Sequence, residues 1–591
     1  MELPSPSASS ATSPIVQNTI RSRSGCRICR EKKVKCDEGR PQCLRCLRLN
    51  RECDYKARPR KKYTWRVPVP PSHPPASPDD THLEATEVSS PPLAASDTAT
   101  PGPHTNLQRL QHLVTNSEEA RSPSQTHGPI GDSLSHDCLR ILSPLDHAAI
   151  HYFRFVLPTA VDSKLPEHSG PAIVWTLAER DPMVLHSVCA LAGGKVCEQN
   201  VMSAEETKER KSLAVEHYTA GLRLLHCAIQ DDTQSPDFDC VLATLWLMIA
   251  YEQKFGDGCG VGLDAHLQGA ASLFRGRLRA LASTLNRSTF YLDTQQERED
   301  RMHPSQDSVD YISPLACRLI IWIALIDGGA AVNGFGGAFN ILLGEGWSDL
   351  DNDAALSRTK CFGALQRHSD LMNLEVWGKS YPQSQLVEDL QSGQLFGLYA
   401  ESGQLRFLLG ELSVYSLQND SRYETRMKAV SSSILDVETR YRELLRTASL
   451  LELGELESQR RFVANARFIA AFYHSVVLCF LRIANGNKPL VNKQRVALRE
   501  IMTLAFNAHR DQGEQAMIRF AWPLFVAALE TDDVLHRTWD LQRYDALAVQ
   551  GENFRRAREA LGIAFSEQDL HERRVDYAEL VRRDNIDRFV I

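Results

Sequence analysis

Apolar positions recur at helical spacing through most of the chain beyond about residue 145. Two stretches show a three-then-four rhythm, and the second follows three serines at 431–433 that have the composition of a helix N-cap. The first stripe is Val215, Tyr218, Leu222, Leu225 and Ile229, and the second is Ile434, Val437, Tyr441, Leu444, Ala448 and Leu451. Because the alternating pattern of a half-buried strand is nearly absent, we predict a large all-α domain over residues 145–590, here called the body.

Neither stripe extends over the roughly three to four heptads that a free coiled coil needs. A helix facing the protein core is therefore the favoured interpretation, and a dimer seam is the alternative. The segment 241–251 is too apolar for an exposed helix, so we expect it at the centre of the body. Pro523 lies in an apolar run and predicts the start or a kink of a helix, with Trp522 packed in the core or, alternatively, lining an effector pocket.

No stretch reaches about 18 uninterrupted apolar residues, and the best candidates, 241–251 and 315–326, fall short. The first residues also lack the basic start and apolar run of a secretory signal. These features predict a soluble protein in the reducing interior of a cell. Its cysteines are then interpreted as metal ligands or thiols rather than disulfides.

The formal net charge of −7 conceals a strong asymmetry. Residues 1–66 carry 17 Lys and Arg against 6 Asp and Glu, which leaves the remainder at −18. A basic segment on an acidic chain indicates a polyanionic partner for that segment and excludes a protein that coats nucleic acid uniformly. Of the 28 prolines, 18 lie in residues 1–144, so we predict disorder in the N-terminus (1–20) and in a Pro/Ser/Thr-rich linker (67–140).

Six of the 15 cysteines lie in the basic segment 21–66, here called the head, in two copies of Cys-x-x-Cys-x₆-Cys offset by 17 residues. They are Cys26, Cys29, Cys36, Cys43, Cys46 and Cys53. Since Zn²⁺ takes about four thiolates in a closed structural site, six sulfurs complete two sites only if two are shared. The repeat symmetry favours Cys26 and Cys43 as the shared pair. A single four-cysteine site is the alternative, and it leaves Cys36 and Cys53 unused.

Cations surround these cysteines. Each Cys-x-x-Cys is expected to open a short helix that the metal anchors in place of a core. Lys32 and Lys33 then lie at one end of the first helix, where they can reach guanine acceptors or phosphates. The predicted DNA contacts are Arg30, Lys32, Lys33, Lys35, Arg45, Arg48 and Arg51, the last three suited to the phosphate backbone. A merely solvated charged face is the alternative.

Residues 24–55 resemble the fungal binuclear zinc cluster transcription factors. The resemblance implies two zinc ions, bridging positions at Cys26 and Cys43, an inter-repeat turn at Pro41, and readout of a CGG-type triplet by Lys32 and Lys33. Glu31 departs from many members, which bears on the triplet preference. The basic strip 58–62 is similar to a nuclear import signal, and prolines beyond it exclude a long coiled coil there.

Three segments of the body, 185–192, 266–274 and 521–530, resemble the fungal-specific transcription factor domain. The resemblance implies an all-α regulatory domain. We found no convincing enzyme motif: the glycine-rich segments 256–262 and 334–337 lack a Walker lysine and are expected to be flexible loops. The acidic and apolar segment 346–353 is expected to be a surface loop rather than an activation segment.

The scattered cysteines of the body are expected to be buried residues rather than nucleophiles or sensors. They are Cys189, Cys197, Cys227, Cys240, Cys259 and Cys479.

The leading hypothesis is a nuclear, sequence-specific regulator of transcription by RNA polymerase II, with no enzymatic activity and no membrane association. Its predicted partners are double-stranded DNA and the transcription machinery or co-regulators, and a homodimer is left open. The alternatives are a metabolite-responsive regulator, or an architectural or RNA-binding zinc protein without promoter specificity.

Overall fold

The computed structural model describes most of the body and part of the head. The described residues are 26, 29, 36–37, 42–49, 51, 141–158, 164–199, 203–230, 236–289, 311–345, 354–418 and 421–591. The predicted disordered segments 1–20 and 67–140, the strip 58–62 and the loop 346–353 lie outside them. The chain divides into two compact units, residues 1–100 and 101–591, and each is described by itself.

Every described element is helical, and no strand occurs in the described part of the chain, which confirms the predicted fold class. The head contributes α1 (Leu44–Arg48). The body contains α2 (Asp146–His151), α3 (Gly170–Ala178), α4 (Pro182–Gln199), α5 (Ala204–Gln230), α6 (Phe238–Phe255), α7 (Val261–Phe274), α8 (Leu278–Thr289), α9 (Pro314–Val332), α10 (Ala338–Glu345), α11 (Ala354–Ser369), α12 (Met372–Trp377), α13 (Gln383–Leu417), α14 (Tyr423–Arg440), α15 (Arg442–Thr447), α16 (Glu457–Asn485), α17 (Asn492–Gln512), α18 (Glu514–Glu530), α19 (Val534–Leu547), α20 (Glu552–His571) and α21 (Tyr577–Leu580).

Between these helices, a π-helical turn (Tyr152–Val156) follows α2 directly, and short 3₁₀ turns precede or extend several others. The 3₁₀ turns are Pro166–His168, Arg275–Arg277, Gly378–Ser380, Ala448–Leu450 and Ala548–Gln550.

The body has two apolar cores. The first lies among α2 to α11, and the second among α13 to α21. Helix α13, 35 residues long, packs against α9 and α11 on one side and against α16 on the other. At Gly410 its backbone passes so close to α9 that an added Cβ would lie 2.8 Å from the carbonyl carbon of Ala331, so only glycine fits there.

A backbone carbonyl near the C-terminal end of the body connects the two cores by accepting hydrogen bonds from side chains of both. The carbonyl of Val590 accepts from the Gln253 side chain at 3.1 Å and from the Asn553 side chain at 2.9 Å. Gln253 belongs to α6 and Asn553 to α20. The C-terminal residues therefore tie together helices that are about 300 positions apart in sequence.

Helix α6 confirms the prediction of a central apolar helix. Its residues from Cys240 to Ala250 are buried except Trp246, whose ring is 4.7 Å from that of Trp322 on α9. A helix with apolar side chains all round is stable only when other elements cover every face. Here α9 and α4 both pack against it.

Helix α5 exists as predicted, but the predicted stripe is largely on the wrong face. Leu225 is buried, whereas Val215, Leu222 and Ile229 are 52%, 40% and 41% exposed. The buried stripe is Arg210, Ala214, His217, Gly221 and Leu225. The small residues in that stripe let α5 approach α4 closely: a Cβ added at Gly221 would lie 3.0 Å from the Ser187 hydroxyl. The close approach of α5 to α4, rather than the apolar content of the side chains, therefore determines which face of α5 is buried.

The predicted serine cap at 431–433 is wrong. Helix α14 begins at Tyr423, so these serines lie inside it, and the Ser433 hydroxyl donates to the Ala429 carbonyl at 3.0 Å. The helical path predicted through Leu451 is also broken at Tyr441, after which α15 begins. A serine that bonds back to the preceding turn is compatible with a helix interior.

Pro523 does not start a helix, because it lies well inside α18. Proline has no N–H to donate to the preceding turn, so its position inside a helix is unusual. The neighbouring Trp522 is buried in the second core, with its ring 4.8 Å from that of Phe472, which confirms the core interpretation.

Two helices, α9 and α16, are long and apolar enough to cross a membrane by length and composition. In each, 72% of the apolar window is buried inside the body. This burial is what core helices of a large helical domain show.

The glycine-rich segment 334–337 connects α9 to α10 and is held by a buried carboxylate. Asp327 accepts from the backbone N–H groups of Gly337 at 2.7 Å and Asn340 at 2.8 Å. The loop is thus fixed by side chains of the first core.

Candidate zinc centre and nucleic-acid interface

The structure brings together the five predicted zinc ligands that it describes. Cys26, Cys29, Cys36, Cys43 and Cys46 are all buried. The sixth predicted ligand, Cys53, lies outside the described residues. In so short a segment, a cluster made only of thiols has no apolar core to explain its burial.

The sulfur separations suit a tetrahedral metal. The sulfur of Cys26 lies 3.8 Å from that of Cys43 and 3.7 Å from that of Cys46. The sulfurs of Cys29 and Cys43 are also 3.8 Å apart. Two thiolates at about 2.3 Å from one tetrahedral Zn²⁺ would lie about 3.8 Å from each other. The described thiols are thus already spaced as ligands.

Cys43 belongs to two donor groups at once. One group comprises Cys26, Cys29, Cys43 and Cys46, and the other comprises Cys36, Asp37 and Cys43. Cys26, the other predicted bridging residue, belongs only to the first group, so the shared pair stays a prediction.

The sequence duplication is visible in local geometry. The sulfur of Cys26 accepts from the backbone N–H of Cys29 at 3.5 Å, and that of Cys43 accepts from the N–H of Cys46 at 3.4 Å. In the second copy this contact caps α1, whose last turn carries Arg45 and Arg48. The prediction that a Cys-x-x-Cys opens a short helix is confirmed for that copy.

Two side chains missed by the sequence analysis stabilise this turn. Asp37 accepts from the backbone N–H of Leu44 at 2.9 Å, and the Gln42 amide donates to the Arg51 carbonyl at 2.7 Å. Asp37 lies seven positions before Leu44, whereas the N-cap residue itself is Cys43. The Asp37 contact therefore depends on the fold of the head and has no local capping signal in the sequence.

Without metal, the Cys29 thiol resists ionisation. Burial, followed by hydrogen bonds to Cys26, Cys43 and Cys36, raises the pKa of Cys29 well above its usual range. Only the thiolate is a zinc ligand, so metal binding must release protons. The divalent cation supplies the charge that makes this cluster of anions stable.

The structure places three of the predicted DNA-contacting cations at the surface of the head. Arg48 and Arg51 are exposed, and Arg45 is partly exposed. Such positions leave their guanidinium groups available to phosphates. The remaining predicted contacts, Arg30, Lys32, Lys33 and Lys35, lie outside the described residues.

A buried thiol cluster with metal-ligand spacing next to surface cations, on a chain whose other described elements are all helical, defines a class of zinc-cluster DNA-binding proteins. The chain belongs to the fungal specific transcription factor domain family, whose model matches residues 135–591. The fungal Zn(2)-Cys(6) binuclear cluster domain matches residues 24–63. This family description specifies two zinc ions and six cysteines, which confirms the predicted cofactor and excludes the single four-cysteine site.

Curated relatives share short segments with this chain. The lysine biosynthesis regulatory protein LYS14 of Saccharomyces cerevisiae is 40% identical over 62 residues, 10% of this chain and 8% of its own. The uncharacterized transcriptional regulatory protein C965.10 of Schizosaccharomyces pombe is 44% identical over 62 residues, 10% of this chain and 12% of its own. The transcriptional regulatory protein UME6 of Saccharomyces cerevisiae is 57% identical over 37 residues, 6% of this chain and 4% of its own.

The matched segments thus cover about a tenth or less of each relative's length. No solved structure matches the chain.

Proposed function

We propose that this protein is a sequence-specific DNA-binding regulator of transcription by RNA polymerase II that acts in the nucleus. The observation that carries the proposal is the buried thiol cluster with ligand spacing, located in a basic segment that matches the Zn(2)-Cys(6) cluster domain. The regulatory names of the relatives support the same function. Their family consists of transcription factors rather than enzymes.

In this proposal residues 21–66 form the DNA-binding head, 145–590 form the regulatory body, and 67–140 link the two. Six thiolates hold the two ions, with Cys26 and Cys43 bridging. The other four ligands are Cys29, Cys36, Cys46 and Cys53. The zinc ions supply rigid cross-links in place of a hydrophobic core.

The cations of the head have two roles in DNA binding, contacts to bases and contacts to phosphates. Lys32 and Lys33 contact the bases of a CGG-type triplet, and Arg30 and Lys35 flank them. Arg45, Arg48 and Arg51 bind phosphates, which supply much of the affinity and fix the orientation of the head. The strip 58–62 directs nuclear import. Co-regulators contact the body, and a homodimer is one form in which the protein binds its site.

Selection of bound sites from random duplex DNA by the full chain tests this function. We expect enrichment of sequences that contain CGG, and loss of all enrichment in Cys46→Ser, which removes one buried thiol and no cation. Equal retention of unrelated duplexes, or of RNA, would instead favour an architectural or RNA-binding zinc protein.

A second candidate, a metabolite-responsive regulator, is favoured by a cavity in the second core. The cavity holds about 30 Å³, so an effector would have to displace side chains to enter it, and its lining is apolar apart from groups such as Arg482, Glu530, Asp576 and Tyr577. An effector that binds there would raise the unfolding temperature of the body in proportion to its affinity and concentration. A thermal-shift screen of small metabolites, with Leu409→Trp to fill the cavity as the control, tests this candidate.

A further inference from the structure

A second set of metal-ligating side chains lies in the body, far in sequence from the head. Asp146 begins α2, Cys189 lies on α4 and His217 lies on α5. Their exposed fractions are 2%, 1% and 5%. One potential ligand atom from each lies within 4.8 Å of the other two. The three helices therefore converge on one buried carboxylate, one thiol and one imidazole.

The carboxylate and the imidazole are already spaced as metal ligands. Oδ1 of Asp146 is 3.2 Å from Nε2 of His217. Two ligands at about 2.0 Å from one tetrahedral Zn²⁺ would be about 3.3 Å apart. A thiolate ligand would lie about 3.6 Å from each of them. The potential ligand atoms of all three residues, the Cys189 sulfur included, lie within 4.8 Å of one another.

Surrounding groups orient both of these ligands. The other carboxylate oxygen of Asp146, Oδ2, accepts from the Ser143 backbone N–H at 2.7 Å and from its hydroxyl at 2.8 Å. This leaves Oδ1 directed at His217. On the far side of the imidazole, Nδ1 of His217 is 2.8 Å from Nδ1 of His186. Metal-binding histidines characteristically have their second nitrogen held by such a partner.

Either a proton or a metal ion can bridge the 3.2 Å between Oδ1 of Asp146 and Nε2 of His217. The third potential ligand beside them, the thiol of Cys189, is what favours a metal ion.

A cavity of about 10 Å³ adjoins the three side chains, and Arg210 also lines it. This volume admits one water as a fourth ligand. Asp146 and the Cys189 thiolate would balance the charge of a divalent ion, and the guanidinium of Arg210 adds one positive charge and can donate to the fourth ligand.

We propose that Asp146, Cys189 and His217 bind a transition-metal ion, Zn²⁺ by preference, with His186 as a positioning residue. Mixed thiolate, imidazole and carboxylate ligands in a tetrahedral arrangement suit zinc. The ion cross-links α2 to α4 and α5. The metal site thus adds a polar connection to the apolar contacts by which Ala149 and Ile150 of α2 already pack in the first core.

Zinc counting on the full chain tests the proposal. We expect three zinc ions per wild-type chain by native mass spectrometry, two in the head and one in the body. Cys189→Ala should contain two, whereas Cys240→Ala, which removes a thiol buried elsewhere on α6, should retain three. Two ions in the wild type, or three in Cys189→Ala, would overturn the site.

A positioning variant provides a second measurement that does not remove a ligand. His186→Asn should weaken binding of the third ion by about 10–100-fold in a competition titration with a chelator, and leave the other two unchanged. An unchanged affinity would exclude the assigned role of His186. Far-UV circular dichroism of each variant checks that the helices are intact.

This site is independent of the proposed function. Cys189→Ala should bind the selected DNA as the wild type does, since its head is unaltered. If neither protein selects a DNA sequence, the proposed function is wrong. The number of zinc ions in the body would still test the metal site independently.

Discussion

At the scale of single residues, polar side chains form specific contacts that the pattern of apolar positions does not predict. The zinc ligands of the head could be grouped from spacing, because a metal demands a fixed number of thiolates and here they lie within one short segment. Asp146 and His217 are 71 positions apart on different helices, and only the folded body joins them. For the same reason Cys189 could not be separated from other buried cysteines in the sequence.

The division of labour among the cations of the head can be measured by paired substitutions. Lys33→Ala should cost about 1–3 kcal/mol of binding free energy and relax the base preference, because it removes a base contact. Arg51→Ala should weaken all sequences about equally and reduce the salt dependence, because it removes a phosphate contact. Binding titrations on the selected DNA site, and on the same site with its CGG triplet replaced, distinguish these outcomes. An intact preference in Lys33→Ala would show that the assigned reading helix is wrong.

Two buried arginines of the second core should respond in opposite ways to substitution. Arg482 forms an ion pair with buried Glu530, to which its Nε donates at 2.8 Å. Arg406 lies over the Trp522 ring, 4.2 Å from its centroid, and its Nε and Nη2 lack acceptors within the described residues. Arg482→Met leaves the buried Glu530 carboxylate with the more distant Arg574, whose Nε is 3.8 Å away, and should cost up to about 3–5 kcal/mol of unfolding free energy.

Arg406→Met, in contrast, removes a charge without leaving a partner carboxylate, and should be neutral or stabilising. Urea titrations of both variants provide the comparison. A loss of several kcal/mol in Arg406→Met would mean that the guanidinium has an essential partner.

His474 on α16 predicts an acid-sensitive contribution to stability. Burial lowers the pKa of its ring to about 4, and Nε2 has no hydrogen-bond partner in the described part of the chain. An ordinary histidine in the unfolded chain titrates near about 6.5. Between these values the unfolded state binds more protons, so this contribution to stability is present at neutral pH and falls as the pH drops from about 6.5 to 4.

His474→Gln should therefore flatten the pH dependence of the unfolding free energy in that interval. The exposed His226 gives the matched control, because His226→Gln should leave the slope unchanged. Equal slopes for His474→Gln and the wild type would contradict the assignment.

At the scale of helices, local periodicity predicts that an element exists but not which face is buried or where it begins. In α5 the small residues Ala214 and Gly221 set the contact with α4, and the more apolar stripe is left partly exposed. In α14 the start depends on residues before the serines, since Ser433 finds its acceptor in the preceding turn. These outcomes come from packing between elements, which no single segment encodes.

The two faces of α5 can be compared through two leucines of the same predicted stripe. Leu225→Ala opens a cavity in the first core and should cost about 2–5 kcal/mol of unfolding free energy. Leu222→Ala, at a position 40% exposed, should change it by no more than about 0.5–1 kcal/mol. Thermal and urea unfolding of both variants measures the difference. Equal large losses would mean that a partner, such as a second copy of the chain, covers the exposed stripe.

At the scale of the whole molecule, composition predicts the division into a basic cysteine-rich head and a strandless body. Charge, proline content and cysteine spacing are properties of continuous segments, so the domain division can be predicted from them without knowledge of tertiary contacts. The two cores of the body could not be predicted in this way. They depend on the passage of α13 close to α9 at Gly410 and on the ties that Val590 makes to α6 and α20.

Zinc removal should separate the head from the body in their dependence on metal. The head has no apolar core, and its buried thiols need the cation, so chelation should unfold it and abolish DNA binding. The body has two large apolar cores that contain no zinc ligands of the head. Its far-UV helical signal and its main thermal transition should therefore persist in excess chelator.

The measurement is cleanest in Cys189→Ala, where the proposed third ion is absent and every zinc lost comes from the head. DNA binding should fall in step with the loss of two zinc ions and return when zinc is restored, while the helical signal stays constant. A helical signal that falls in proportion to zinc release would instead mean that folding of the body depends on the head. Binding that survives the loss of both ions would mean that the thiol cluster does not position the DNA-contacting cations.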